Sequence, residues 1–240
     1  GQKPVGDLLF EGNVTKWRKL ANSIILQAAL QLSKKYPSAT GYAATEFKNA
    51  LSNSYGVIET VANEPWYTYS AAAAVTNPIY AFRAADYRLS AQLVSSLKGD
   101  ASAFNRTSNH TNDSRISVYS SNASLAGLPY GYSSTDLAAA GYTTSSKAQI
   151  NAKFRAQTGP MNLITASYTF LNRAEAAARG WTTEDPATLL TQAITLNYAT
   201  LDSHYTTSIS SNAAAYAAAR VADMTTYGAL RVIGEEKWVA

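Results

Sequence analysis

The feature that most constrains this chain is a long amphipathic run near its start, GNVTKWRKLANSIILQAALQLSKK, which covers residues 12–35. Asn13 stands at the N-cap position of a helix, and Pro37 ends the run. About 22 helical residues would form a rod of roughly 33 Å, long enough for the spine of a helical domain. Apolar residues at steps of three and four predict one buried stripe: Val14, Trp17, Leu20, Ala21, Ile24, Ala28 and Leu32.

Similar patterns predict further helices on both sides of an irregular stretch. Phe47 and Leu51, four residues apart, are expected in the core. A helix that ends at Gly180 and a helix that begins at Asp185-Pro186 are joined by a short connection, which predicts an antiparallel hairpin similar in length to a tetratricopeptide unit. The other predicted helices cover about 45–53, 82–98, 212–224 and 226–240.

The stretch at about 99–160 differs from the rest because Ser, Thr, Asn and Gly dominate and the periodicity is lost. Long irregular segments of this kind often carry binding functions. We expect a small strand pairing around Arg115–Tyr119 and helical turns near 136–140 and 145–156. The predicted fold is therefore all-α, with tetratricopeptide-like hairpins and long irregular loops. It forms a single helical domain over 1–240 with a loop-rich insert at about 99–160.

The composition argues against several classes of function. The net charge is +4, and the basic residues are scattered, so no nucleic-acid surface is expected. The chain has no cysteine, and its two histidines, His110 and His204, lack ligand-like partners at helical spacing. Neither a phosphate-binding loop nor a serine-hydrolase motif is present. We therefore expect no metal, no cofactor and no catalytic residues.

Paired carboxylates could still hydrolyse glycosidic bonds. The acidic candidates are better explained as ion-pair partners, a helix cap and a solvated face, and no two of them form a convincing pair: Glu64, Glu175, Glu184, Asp185, Glu235 and Glu236.

What remains is a wealth of aromatic residues, 16 Tyr and 4 Trp. Aromatic rings can stack on the C–H faces of sugars, while neighbouring polar groups bind the hydroxyls. Aromatic residues on predicted helix faces are assigned to packing: Trp17, Tyr87, Tyr198 and Trp238. Those in irregular segments are the candidate ligand-binding residues: Trp66, Tyr67, Tyr69, Tyr119, Tyr130 and Tyr132.

Six segments, in order along nearly the whole chain, resemble the sequence pattern of the SusD-like (RagB/SusD) nutrient-binding proteins of Bacteroidetes. The chain departs from that pattern at Glu236, where Gln is usual, and at Leu26-Gln27, where Leu-Arg is common. The DPR that usually follows the third helix is absent. The segments are GNVTKWRKLANS at 12–23, NPIY at 77–80, DYRLSAQLVSSLKG at 86–99, GLPYGYSSTD at 127–136, AEAAARGW at 174–181 and IGEEKWVA at 233–240.

The resemblance implies a non-catalytic cell-surface lipoprotein of the outer membrane that captures glycans or other nutrients. It also implies delivery of the ligand to a TonB-dependent transporter of the SusC type, and a structural role for the two KW pairs. The family's lipid anchor and further helices would lie outside these residues, so we expect a fragment truncated at both ends.

Three functions stay open at this point. The first is an oligosaccharide- or nutrient-binding module of an import system. The second is a helical scaffold that docks the transporter without ligand affinity of its own. The third and least favoured is a glycoside hydrolase.

Overall fold

The structure is a computed structural model that describes residues 5–72, 75–81, 87–100 and 113–240. The described residues form nine α-helices and one two-stranded sheet, which confirms the all-α prediction. The elements are α1 (Val14–Gln31), α2 (Tyr42–Leu51), β1 (Trp66–Thr68), α3 (Ala91–Lys98), α4 (Ile116–Tyr119), α5 (Ser134–Ala139), β2 (Pro160–Asn162), α6 (Ala166–Ala178), α7 (Pro186–Tyr205), α8 (Ala213–Tyr227) and α9 (Ala229–Val239).

The chain divides into two compact units. The helical unit consists of the described residues within Gly1–Tyr67, Met161–Thr200 and Ala213–Ala240. The loop-rich unit consists of those within Thr68–Pro160 and Leu201–Asn212. Within the part of the chain that the structure describes, no helix combines the length and the apolar character that crossing a membrane requires.

In the helical unit, α1 packs against α2 and α6, α6 packs against α9, and α9 packs against α8. Phe47 is fully buried beside Trp181, with ring centroids 6.1 Å apart, and Leu51 packs against the same cluster. The core positions predicted for Phe47 and Leu51 are thus confirmed.

The N-cap of α1 is as predicted, because Asn13 Oδ1 accepts a hydrogen bond of 3.1 Å from the Lys16 N–H. The predicted apolar stripe is right at Leu20, which is buried, and wrong at Ile24, which is 50% exposed while Asn22 and Ser23 are buried. Asn22 Nδ2 donates to the Gly56 carbonyl at 2.8 Å, and Ser23 Oγ accepts from the Ile58 N–H at 2.9 Å. The buried face is therefore partly polar because it binds the backbone of the following segment.

A buried ion-pair network joins α8 to α9. The Arg220 guanidinium donates to Asp223 at 2.6 Å, to Glu235 at 2.6 Å and to Glu236 at 2.8 Å. The Tyr216 hydroxyl donates to the same Glu236 carboxylate at 2.7 Å. Glu236, which stands where the resembled pattern has Gln, supplies one of the three negative charges around the buried Arg220.

Two predicted elements of the loop-rich unit differ from the structure. Helix α3 begins at Ala91, after Ser90 accepts a hydrogen bond from the Leu93 N–H at 3.1 Å. The predicted start at residue 82 lies outside the described residues, and Tyr87 is in irregular backbone. The strand predicted at Arg115–Tyr119 is wrong, because Asp113 binds both the Arg115 N–H and its guanidinium and so stabilises the turn that leads into α4.

Candidate functional site

A closed loop in the loop-rich unit, residues 127–147, carries the most exposed tyrosines among the predicted site residues, and we call it the tyrosine loop. Its two ends are joined, since the Ala148 N–H donates to the Ala126 carbonyl at 2.8 Å. The Leu128 N–H donates to the Leu89 carbonyl and the Ala91 N–H donates to the Leu128 carbonyl, both at 2.8 Å. The base of the loop is therefore fixed to the segment that leads into α3.

Gly127 permits this attachment. A Cβ atom at that position would lie 2.3 Å from the Ser90 carbonyl oxygen and 2.6 Å from the Ala91 Cα. Both are backbone atoms that cannot move aside, so a larger residue would displace the loop from α3. The first glycine of the GLPYG segment thus has a packing reason.

Helix α5 folds the middle of the tyrosine loop back on itself. Ser133 Oγ accepts from the Asp136 N–H at 3.1 Å and donates to the Asp136 carboxylate at 2.7 Å, which caps the helix start. After the helix, Gly141 adopts a φ of 73°, and the Tyr142 N–H donates to the Leu137 carbonyl at 2.9 Å. This left-handed C-terminal turn reverses the chain and brings Tyr142 beside Tyr132.

The aromatic surface of the loop consists of Tyr130, Tyr132 and Tyr142. The rings of Tyr132 and Tyr142 meet edge to face, with centroids 5.7 Å apart and an interplanar angle of 69°. Tyr130 is 69% exposed and Tyr132 is 45% exposed. The Lys147 ammonium lies 5.2 Å from the Tyr142 ring centroid. Two exposed aromatic side chains and a cation therefore lie on one short loop.

Trp66 has a different environment in the helical unit. Its indole N–H donates to Glu64 Oε2 at 2.9 Å, while Glu64 Oε1 accepts from the Ala166 N–H and from the Thr200 hydroxyl, both at 2.9 Å. Burial raises the pKa of Glu64, and these three hydrogen bonds oppose the rise. Trp66 is thus tied to a buried carboxylate that also binds the first turn of α6.

The other predicted residues are half-buried. Tyr67 lies in β1, and Tyr69 lies just beyond it. Tyr119 packs against Phe154 with centroids 5.6 Å apart, and Phe154 stacks on Tyr205 at 4.1 Å. Burial raises the pKa of Tyr205 to about 12. The ring contacts join Tyr119, Phe154 and Tyr205 in one packed aromatic cluster.

Of the six predicted residues, the structure places Tyr130 and Tyr132 on the same exposed loop. Sequence reasoning did not select Tyr142 or Lys147 as site residues. Gly141, directly after a short capped helix, was the available signal for Tyr142, because such a glycine typically reverses the chain. Nothing in the sequence around Lys147 predicted its position, because its place beside the Tyr142 ring depends on the closure of the loop.

The carboxylates considered for glycoside hydrolysis are engaged elsewhere. Glu175 accepts from Lys237 Nζ at 2.5 Å and from Arg179 Nε at 2.8 Å, which explains why its pKa is lowered although burial opposes the shift. Glu64 is buried and accepts the three hydrogen bonds described above. The remaining partners are Arg173 for Glu184, the α7 N-terminus for Asp185, and Arg220 for Glu235 and Glu236.

Other kinds of site have less support. Within the described ranges, no cluster of His, Cys, Asp and Glu could hold a metal ion. His110 lies outside the described residues, and burial lowers the pKa of His204 near the end of α7. The loop-rich unit also contains an open cavity of about 410 Å³, with polar lining side chains that include Lys98, Ser117 and Asn212.

Over residues 2–240 the chain matches the SusD-like family described as "Starch-binding associating with outer membrane". A SusD homologue from Bacteroides fragilis aligns with a TM-score of 0.72 and 22% identity, covering 99% of this chain and 55% of that chain. A second SusD homologue from the same species gives a TM-score of 0.76 at 18% identity, covering 100% of this chain and 54% of that one.

A chitin-binding SusD homologue from Flavobacterium johnsoniae aligns with a TM-score of 0.61 and 22% identity, over 86% of this chain and 39% of that chain. A comparison with curated proteins gives no match. The chain spans about half the length of the two Bacteroides fragilis structures, and at these identities the structural likeness establishes the fold. Because the family pattern covers nearly every residue, this chain belongs to the SusD-like family.

Proposed function

We propose that this chain binds glycans at the bacterial outer membrane through the tyrosine loop, without catalysis, for delivery to a TonB-dependent transporter of the SusC type. The family description supports the class of ligand and the location. The observation that carries the proposal is the pair of exposed side chains, Tyr130 and Tyr132, on a loop fixed at its base.

The chemistry of the tyrosine side chains and the rigidity of the tyrosine loop both favour sugars as the ligand. Tyrosine rings offer apolar faces to the C–H groups of a pyranose, and their hydroxyls can bind sugar hydroxyls. The hydrogen-bonded base and the capped α5 restrict the loop before a ligand arrives, which lowers the ordering cost of binding. The engaged carboxylates described above support a binding role over a hydrolytic one.

The other four predicted residues, Trp66, Tyr67, Tyr69 and Tyr119, stay predictions as ligand contacts. The contact of Trp66 with Glu64 and that of Tyr119 with Phe154 give each of them a packing role. We therefore place the primary contacts on the tyrosine loop.

Calorimetric titration of the purified chain with chitin, starch and pectin oligosaccharides tests the proposal. Alanine substitution of an aromatic residue that stacks on a nucleic-acid base costs ~1–3 kcal/mol of binding free energy, and stacking on a sugar ring is of similar kind. We therefore expect Tyr130→Ala and Tyr132→Ala each to weaken binding about 5- to 100-fold. The matched control is Tyr42→Ala, which removes a 60% exposed tyrosine from the helical unit.

If Tyr42→Ala weakens binding as much as the loop variants do, the assignment of the site to the tyrosine loop is wrong. If the unaltered chain binds none of the oligosaccharides, the glycan-binding proposal fails. In that case, co-purification with a TonB-dependent transporter would favour the scaffold hypothesis.

A further inference from the structure

The Lys147 ammonium lies on the aromatic surface of the tyrosine loop without a carboxylate beside it. Its Nζ atom is 5.2 Å from the Tyr142 ring centroid. Among the residues that the structure describes, no Asp or Glu oxygen lies within ion-pair distance of Lys147. An ammonium group has three donors, and here they have no acceptor in the described protein.

Other lysines of the loop-rich unit are used differently. Lys153 Nζ donates to the carbonyls of Tyr205 and Thr206 at 2.5 and 3.0 Å. Lys98 Nζ donates to the carbonyls of Ser124 and Leu125, both at 2.9 Å. These ammonium groups hold backbone together, whereas that of Lys147 contacts a ring.

The backbone of Lys147 is nevertheless well held. Lys147 pairs with Ala126 in an isolated parallel bridge, and its N–H donates to the Thr144 carbonyl at 3.2 Å. Arg88 Nε donates to the same Thr144 carbonyl at 2.6 Å. The stem of the side chain therefore starts from a held backbone, and the ammonium lies beside the Tyr142 ring.

The acidic residue of the loop does not neutralise this charge. Asp136, at the start of α5, accepts hydrogen bonds from the Ser133 hydroxyl and is not an ion-pair partner of Lys147. A ligand that lies across the tyrosine rings would thus meet a positive group with free donors. A carboxylate or sulfate on the sugar is the natural acceptor for it.

We propose that the tyrosine loop prefers anionic glycans, with the Lys147 ammonium binding a carboxylate or sulfate while Tyr130 and Tyr132 stack on the sugar rings. This inference rests on the proposed function and adds a charge requirement to it. Tyr142 supports the site by holding Tyr132 and Lys147 in place.

The test compares pairs of ligands that share one sugar chain, with the anionic group either present or masked or removed, at low salt. Trigalacturonate is titrated against its methyl ester, and a sulfated galactan oligosaccharide is titrated against its desulfated form. We expect at least one anionic ligand to bind about 3- to 10-fold more tightly than its neutral counterpart, the gain typical of a partly exposed charge pair. This preference should shrink as salt is raised from ~50 to ~500 mM.

Three lysine variants assign the preference to Lys147. Lys147→Gln should lower the affinity for the anionic ligand to that for its neutral counterpart, and Lys147→Arg should retain the preference. Lys34→Gln removes the same charge from an exposed position of the helical unit and should change nothing.

The other possible results of these titrations each contradict a different part of the proposal. Equal affinity for charged and neutral ligands would overturn the anionic preference and leave glycan binding intact. A preference that survives in Lys147→Gln would overturn the role of Lys147. If the unaltered chain binds neither member of either pair and none of the chitin or starch oligosaccharides, the proposed function itself fails.

Discussion

Three aromatic side chains of the helical unit, Trp17, Trp181 and Tyr198, differ from those of the tyrosine loop in what their polar atoms and ring faces touch. In the helical unit, the Trp17 indole N–H donates to Asp7 at 2.8 Å, the Trp181 indole N–H donates to the Pro37 carbonyl, and Tyr198 is fully buried. In the tyrosine loop, Tyr130 is 69% exposed. The comparison teaches that an aromatic residue supports the fold where neighbours cover its ring and bind its polar atom. It is available to a ligand where they do not.

The largest expected difference between the two regions follows from Phe47→Ala in the helical core. Removing a fully buried phenylalanine beside Trp181 should lower the free energy of unfolding by about 3–5 kcal/mol. Chemical denaturation measures the loss. Tyr130→Ala serves as the matched change in the tyrosine loop and should alter stability by less than about 0.5 kcal/mol. Similar losses for the two variants would show that the exposed tyrosine also supports the fold.

Trp66→Phe is a smaller change that tests the intermediate case. It keeps an aromatic ring but removes the N–H that donates to Glu64 Oε2. We expect a loss of about 1–2 kcal/mol in unfolding free energy, because a buried acceptor loses one of its donors. The pKa of Glu64, already raised by burial, should rise further because that hydrogen bond lowers it.

Denaturation curves together with a pH titration of stability measure both effects of Trp66→Phe. Unchanged stability combined with weaker glycan binding would instead make Trp66 a ligand contact and remove the distinction between the two regions.

The smallest effect concerns the anchoring of Trp17 by Asp7. Burial alone would raise the pKa of Asp7, but hydrogen bonds from the Trp17 indole and from the N–H groups of Gly12, Phe10 and Leu9 lower it from 3.8 to about 2. Because the folded pKa is depressed, the stabilisation is present above the unfolded pKa near 4 and is lost as the pH falls toward 2.

The measurement is the melting temperature of the unaltered chain and of Asp7→Asn at pH 5 and near pH 2. The two proteins should differ at pH 5 and converge near pH 2. An undiminished difference at the acidic pH would mean that the carboxylate charge does not hold Trp17.

Much of the helical fold could be predicted from periodicity and caps. Asn13 and Asp185 both cap helices as expected, and the helices after residue 160 lie close to their predicted positions. The buried face of α1 could not be predicted, because Asn22 and Ser23 are buried to satisfy the backbone of residues 56–58. Hydrophobic patterning counts polar residues as outward-facing, so it fails where a polar side chain binds a neighbouring segment.

The candidate site was predictable only in part. Exposed tyrosines in a polar insert pointed to Tyr130 and Tyr132, yet nothing local connects them with Lys147. That connection arises from hydrogen bonds between segments far apart in sequence, such as Leu89 with Ala148. The packing of Tyr119 against Phe154 depends on similar long-range contacts. The residue types indicated that aromatic side chains could bind a ligand. Which of these residues come together depends on the closure of the tyrosine loop.

The closure of the tyrosine loop has a consequence for how such proteins diversify. Its ends bind each other at Ala126 and Ala148 and bind the segment Leu89–Ala91, so the residues between them form a cassette. Residues 129–146 could be exchanged for a segment of different length or chemistry while Gly127, Leu128 and the attachment to Leu89–Ala91 stay as they are. Under the proposed function, replacing this one segment would change which sugars are bound without refolding the helices that carry it.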